Sequence, residues 1–192
     1  MRHIFRNMPV HTAGFTLMEL VVVISIFVII SSVILADYPG FSERVALERT
    51  AQEIALSLRE AETLALAVRE SSEGSGVFPG FGVHFDASTP REYILFSDDN
   101  NNLVYDGVSE EIDHFFIEKA PEIIAICVDT ETSPPGNCSL PWVDIVYLRP
   151  DPTITIWSTD GGHPVFSITI QTPRENYTRE IIGWITGQIE IR

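Results

Sequence analysis

The chain is poor in cations. Its 12 Lys and Arg stand against 27 Asp and Glu, a formal net charge of −15 at pH 7. Gripping nucleic acid through its phosphates needs Lys and Arg in number, as does docking on anionic lipid through a basic patch. The balance argues against both and favours solubility or a cationic partner. Cysteine is scarce as well: Cys127 and Cys138 are flanked by no His and no second Cys pair, so a metal site of the zinc type is not expected. Gly-x-Ser-x-Gly, His-Glu-x-x-His and a phosphate-cradling glycine loop are all missing. His84, His114 and His163 are scattered without ligand spacing. These absences give no ground for expecting an enzyme. There is no internal repeat. With 45% apolar and 20% charged residues, composition is that of a folded globular chain.

What is present starts at the N-terminus. The run Leu20 to Ala36 contains no Gly, Pro or charge. At about 1.5 Å per helical residue it spans roughly 26 Å, close to the hydrocarbon thickness of a bilayer. A leader with Arg2 and Arg6 and no acid precedes it, and Glu19 stands at its mouth. A carboxylate entering a bilayer costs roughly 2.5–3.5 kcal/mol on insertion scales, so a chain that keeps one there needs a partner for it. A secretory signal peptide also pairs basic residues with an apolar stretch. The length of the run, the poor cleavage site at Ile34-Leu35-Ala36 and the glutamate speak against that reading. A plain transmembrane anchor is the other alternative. In either membrane reading the positive leader stays cytoplasmic and the remaining chain lies outside.

Gly14-Phe15-Thr16-Leu17-Met18-Glu19, set against the apolar run, resembles the class III signal of type IV pilins and type II secretion pseudopilins. The resemblance implies cleavage by a prepilin peptidase between Gly14 and Phe15, followed by N-methylation of Phe15. It implies that Glu19 pairs with the new amine, in a neighbouring subunit or within its own, and sets register during filament assembly. Two isolated charges are expensive in that layer, and paired they offset one another. Ser25, Ser31 and Ser32 provide small or polar faces for close helix–helix approach.

Beyond Asp37-Tyr38-Pro39-Gly40, where the proline predicts a kink or local unwinding, helical periodicity resumes. Leu47, Ala51, Ile54, Leu58, Ala61, Ala65 and Val68 alternate at spacings of four and three, one apolar stripe. Leu56, Leu64 and Leu66 widen it. Ser71 to Gly76 ends the helix. Periodicity then changes to two. Strands are expected at Phe81–Phe85, Glu92–Phe96, Asp113–Lys119, Ile123–Val128, Val143–Leu148, Thr153–Trp157 and Val165–Gln171. Arg179–Ile182 and Ile185–Ile191 should form a closing hairpin around Gly187. Arg149-Pro150-Asp151-Pro152 and Asp160-Gly161-Gly162 read as turns. The fold class is α+β: a long N-terminal helix, half membrane and half amphipathic, packed on an antiparallel β-sheet domain. The divisions are a leader at 1–14, a membrane and assembly helix at 15–36, an amphipathic helix at 37–72 and the β domain at 73–192. Ser57-Leu58-Arg59-Glu60-Ala61, Gly80-Phe81-Gly82-Val83, Tyr93 to Asp98, Thr178-Arg179-Glu180 and Gly187-Gln188-Ile189 look like the GspH/FimT type of minor pseudopilin. That extends the resemblance to a pilin-like fold.

Two constellations remain. Cys127 and Cys138 bracket a turn-rich segment, Thr132 to Asn137. In an oxidising compartment a disulfide closing so short a loop contributes on the order of 3 kcal/mol; in a reducing one they are free thiols. Asp98, Asn100, Asn102 and Asp106 alternate as the oxygen ligands of an EF-hand do, with the Val104 carbonyl among them. Calcium takes six to eight such oxygens. Leu103 occupies the sharp-turn glycine position and Ser109 that of the bidentate glutamate, so an Asx-rich loop satisfying its own backbone is the alternative to a calcium site.

The resemblance implies a non-enzymatic filament subunit at the bacterial inner membrane, with an extracytoplasmic domain. Its partners would be prepilin peptidase and other pilin or pseudopilin subunits. Secretion pseudopilus and type IV pilus, and major and minor subunit, stay open, the H-type likeness leaning to minor. Some FimT-like minor pilins bind DNA through basic residues near the C-terminus. Here the tail offers only Arg179 and Arg192, so no nucleic-acid partner is expected. A permanently anchored, ligand-binding surface domain is the remaining alternative.

Overall fold

The structure is a computed structural model that describes residues 14–67 (backbone only at 36 and 37), 76, 78–117, 121–129, 136–148 and 154–192. The leader at 1–13, the helix stop at 68–75, the strand end at 118–119, the loop at 132–135 and the turn with its following Thr at 149–153 lie outside the described residues. The chain divides into two units, 1–39 and 40–192.

One helix, α1, runs Leu17–Leu66 with Pro39 inside it. The unwinding expected there is absent. Residues 38 and 39 are exposed, so water can reach the carbonyl that loses its partner to the proline ring. In the first unit the apolar side chains from Leu17 to Leu35 are exposed, and this stretch is long and apolar enough to cross a membrane. Ser25 and Ser32 donate their hydroxyls to the carbonyls of Val21 and Val28, both at 2.7 Å. Their polarity is thereby met inside the helix.

In the second unit the expected stripe is the buried one. Leu47, Ala51, Ile54, Leu58, Ala61 and Ala65 lie in a single core with residues of every long strand but one. Leu56 and Leu66 instead remain exposed; they sit off the stripe, and the sheets do not reach them. Ten strands follow α1: β1 (Gly80–Asp86), β2 (Glu92–Asp98), β3 (Glu111–Phe116), β4 (Glu122–Val128), β5 (Trp142–Tyr147), β6 (Ile154–Ser158), β7 (Gly161–His163), β8 (Val165–Gln171), β9 (Thr178–Trp184) and β10 (Ile189–Ile191). They form two antiparallel sheets rather than one, ordered β3-β2-β1-β5-β6-β7 and β10-β9-β8-β4. The chain changes sheet between β3 and β4, between β4 and β5, and at Pro164. Both sheets turn alternate apolar residues toward α1, among them Val83, Leu95 and Ile145 from the first and Ile126, Ile168 and Ile181 from the second. Ser57 donates to the Glu53 carbonyl at 3.1 Å and meets the Tyr93 hydroxyl at 3.1 Å, tying the helix to β2 through a satisfied buried pair. Gly161-Gly162, expected as part of a turn, pairs with β6 as the short β7. The closing hairpin turns at Gly187 as expected, with φ of 84°.

Gly183 on β9 faces Phe166 on β8, a register pair. A Cβ at 183 would stand 2.2 Å from the Phe166 ring, and that ring has no exposed surface into which to move. We expect Gly183→Ala to destabilise the chain by about 1–3 kcal/mol, the usual cost of overpacking. Phe166→Leu in the same chain should recover part of that loss, so the pair measured by urea denaturation will be less than additive. Additive costs would show that the ring and the glycine do not touch.

Candidate functional site

The processing motif lies at the start of α1. Residues 14–16 are not helical, nothing stands within 4 Å of a Cβ added at Gly14, and Phe15 is 83% exposed. Among the described residues, the Gly14–Phe15 bond therefore lies outside the helix and is open to solvent. Thr16 is the cap: its Oγ1 accepts the N–H of Glu19 at 3.2 Å and its carbonyl accepts that of Leu20 at 3.1 Å. Thr16-Leu17-Met18-Glu19 thus has the spacing of a capping box. The Glu19 carboxylate sits in the first turn, where the helix dipole favours negative charge. The bond to Thr16 is made by the Glu19 backbone, so the helix dipole is what acts locally on its carboxylate.

The Asp/Asn loop joins β2 to β3. Asp98 has no exposed surface, and its two carboxylate oxygens accept the N–H groups of Asn102 (2.9 Å) and Leu103 (3.0 Å). Asn100 and Asn102 accept the N–H groups two residues on, as Asx turns do. Both also donate their amides to one Asp106 oxygen, at 2.6 and 2.7 Å. Leu103 has φ of 70°, the left-handed conformation that glycine supplies in an EF-hand, and its N–H bond to Asp98 holds it there. The four candidate calcium ligands are thus brought together, but they are engaged with one another and with backbone. Among the described residues, no group of three or more His, Cys, Asp or Glu is arranged to hold a metal ion.

Each histidine of the β domain meets a carboxylate, which sequence spacing did not reveal. His84 and Asp144 face each other in the β1–β5 register, Nδ1 to Oδ1 at 2.6 Å. The second Asp144 oxygen accepts the Tyr105 N–H at 3.2 Å, and the Tyr105 ring lies 4.9 Å from the imidazole. Asp144 is fully buried. Burial holds its carboxyl above the ordinary carboxylate pKa, and the bonds from His84 and Tyr105 offset this only in part. One signal was available: a lone Asp inside the apolar strand Val143 to Val146. His114 lies between Glu92 (3.0 Å) and Glu111 (3.4 Å). His163 Nδ1 meets Asp129 at 2.9 Å and its Nε2 meets the Ser158 hydroxyl at 2.9 Å. Asp, His and Ser stand there in the order of a nucleophile relay. Ser158 is only 2% exposed, however, and its oxygen already accepts the Asp160 N–H. As it stands, the arrangement clasps β6 and β7 to the end of β4.

That clasp adjoins a disulfide between Cys127 and Cys138. Val128 donates to the Asn137 carbonyl at 3.0 Å and Gly136 to the Asp129 carbonyl at 3.1 Å. The two backbones are so close that a Cβ at Gly136 would stand within 2 Å of the Val128 oxygen (1.8 Å). The Asn137 amide reaches Asp160 at 3.0 Å, so the cross-linked loop is also fastened to the β6–β7 turn.

A carboxyl whose folded pKa is raised takes up its proton in the folded state before it does so in the unfolded one. Its contribution to stability is therefore full below the ordinary carboxylate pKa and is lost as pH rises through the folded value. Asp144→Asn keeps the size of the side chain and removes that proton. As pH falls from neutral into the ordinary carboxylate range, urea midpoints of the wild-type chain should rise relative to those of the variant. A difference that stays constant throughout would show an unperturbed carboxyl. Compared with family models, with curated proteins and with solved structures, the chain matches none.

Proposed function

We propose that this chain is a structural filament subunit, a minor pseudopilin or pilin. It would be cut by prepilin peptidase between Gly14 and Phe15, methylated at Phe15, and assembled with other such subunits from the inner membrane. The observation that carries the reading is the order at the N-terminus: an open Gly14–Phe15 bond, a Thr16 cap, Glu19 in the first turn, and directly after it an exposed apolar stem. A globular β domain then follows on the same helix. Its disulfide suits the oxidising, extracytoplasmic side of that membrane. The nucleic-acid alternative draws no support, since Arg179 and Arg192 are engaged by Glu48 and Glu190 at 3.0 Å. The permanently anchored domain has one observation in its favour: a carboxylate in the first turn is favoured by the helix dipole without any partner subunit.

Two experiments separate these readings. Protein recovered from cells should begin at methylated Phe15. Gly14→Val should leave an unprocessed band about 1.5 kDa heavier, at the chain average of 21.5 kDa over 192 residues; a wild-type chain that still begins at Met1 ends the filament reading. Glu19→Gln preserves the capping-box residue and removes the charge, whereas Glu19→Leu removes both. Charge pairing with the Phe15 amine predicts that both variants are processed and that both fail to enter filaments. If Gln assembles as wild type does, assembly does not need a charge at position 19.

A further inference from the structure

Among the described residues, the first sheet ends on β3 with no strand beyond it. Its far edge is β7, three residues long, and the second sheet ends on β10, also three. At β4, the remaining long edge, Val128 already donates to Asn137 and Ile123 to Pro90. Among the described residues, β3 is left as a six-residue edge. Natural edges are blunted by proline, charged side chains, bulges or shortness; Glu111-Ile112-Asp113-His114-Phe115-Phe116 has no proline and no lysine, its charges are the two acids Glu111 and Asp113, and its one bulge falls at the start of the strand, opposite Leu95 and Phe96.

The backbone of β3 is set for pairing. Ile117 donates to Arg91 at 2.8 Å, so by antiparallel alternation residues 115 and 113 also turn toward β2, while His114 and Phe116 turn outward. The outward His114 N–H is held by the exposed Asp113 carboxylate at 2.8 Å, a local contact that an incoming carbonyl can replace. The His114 and Phe116 rings stack at 4.5 Å and 11°, and Phe116 is 66% exposed. This apolar shelf is bordered by Glu92, Glu111 and Asp113. Among the described residues, Arg91 beside this edge is already directed at Glu122 at 3.5 Å.

We propose that the β3 edge is a docking strand for an extended, cationic segment of another protein, which adds a seventh strand to the sheet. Backbone bonds supply the attachment, as in other strand-addition complexes. An alternation of Lys or Arg with apolar residues would set one row against the face that holds the His114–Phe116 shelf with Glu92 and Glu111, and the other against the face of Asp113. A second copy of this chain is the poorer occupant: it would bring two sets of the same acids to one seam, and like charges set opposite are destabilising. The inference does not depend on filament assembly and holds equally for a permanently anchored domain.

The test uses the full chain in detergent micelles and a short blocked peptide alternating lysine and valine. Its control is the same peptide N-methylated at every second residue, equal in charge but unable to pair. The unmodified peptide should slow amide exchange at His114 and Phe116, and the methylated one should bind at least tenfold more weakly. His114→Pro removes an outward N–H at an edge where proline is tolerated, and binding should fall at least tenfold. His114→Ala, which keeps that N–H, should bind within about threefold of wild type. Equal binding of the two peptides, no binding of either, or protection of β3 by self-association without peptide would each overturn the proposal. If His114→Pro does not fold, the methylated peptide on the wild-type chain decides the matter alone.

Discussion

Ala51, Ile54, Leu58 and Ala61 have no exposed surface, and they share one core with side chains of both sheets. The two sheets share no ladder. Their common packing surface is this face of α1, while hydrogen bonds such as His163–Asp129 and Ile154 N–H to the Ile185 carbonyl join them at their ends. Alanine at 51, 61 and 65 lets strands approach the helix closely, while Leu47, Ile54 and Leu58 fill the space between. Each large apolar side chain so buried is worth about 1.5–3 kcal/mol, against an ordering entropy of similar size. Removing the stripe would uncover the inner faces of both sheets at once, since neither has another layer to turn to.

On the outer face of the first sheet the corresponding role falls to two buried acids. Asp98 accepts the N–H groups of Asn102 and Leu103, and Asp144 that of Tyr105. Both carboxylates therefore fasten the same β2–β3 connection, one from its start and one from β5 beneath it. Tyr105 is laid against His84 and Phe96. A buried acceptor that loses its donors costs about 1–3 kcal/mol, more when charged. That is enough to hold Leu103 in a backbone conformation it would not choose. The loop was open to reading as a calcium site because an Asx-rich turn and an EF-hand use the same alternation of oxygens. What distinguishes them is where the oxygens are spent, and spacing does not show that.

The same distinction explains what was legible in the chain. The stripe from Leu47 to Ala65 and the strands at Phe81–Phe85 and Val165–Gln171 could be read because their signal is local, a period of 3.6 or 2 within a few residues. So could the hairpin at Gly187, where one glycine supplies the turn. The division into two sheets was not legible: a strand buried on its inner face has the same alternation whichever neighbour it takes. β7 was hidden because Gly161-Gly162 is turn chemistry, and it becomes a strand only by lying beside Trp157 and Ser158. The pairs His84–Asp144 and His163–Asp129 are products of register between segments far apart in sequence. Only the isolated Asp144 in an apolar strand hinted that a partner was waiting.

Glu19 is the case in which magnitudes choose between explanations. As a first-turn acid it gains about 0.3–1 kcal/mol from the helix dipole; the cap itself is made by the Thr16 hydroxyl and the Glu19 backbone N–H. Carrying a carboxylate into hydrocarbon costs roughly 2.5–3.5 kcal/mol. The dipole therefore accounts for Glu19 at a membrane surface, where the side chain keeps its water. It does not account for Glu19 drawn below that surface, where the shortfall must be met by a cation. The apolar residues of the stem begin directly beyond it, with no polar margin, so a small descent of the stem moves the carboxylate from the first situation to the second. On the proposed cleavage, the amine that would form at Phe15, four positions away and in the same layer, is the group best placed to follow it.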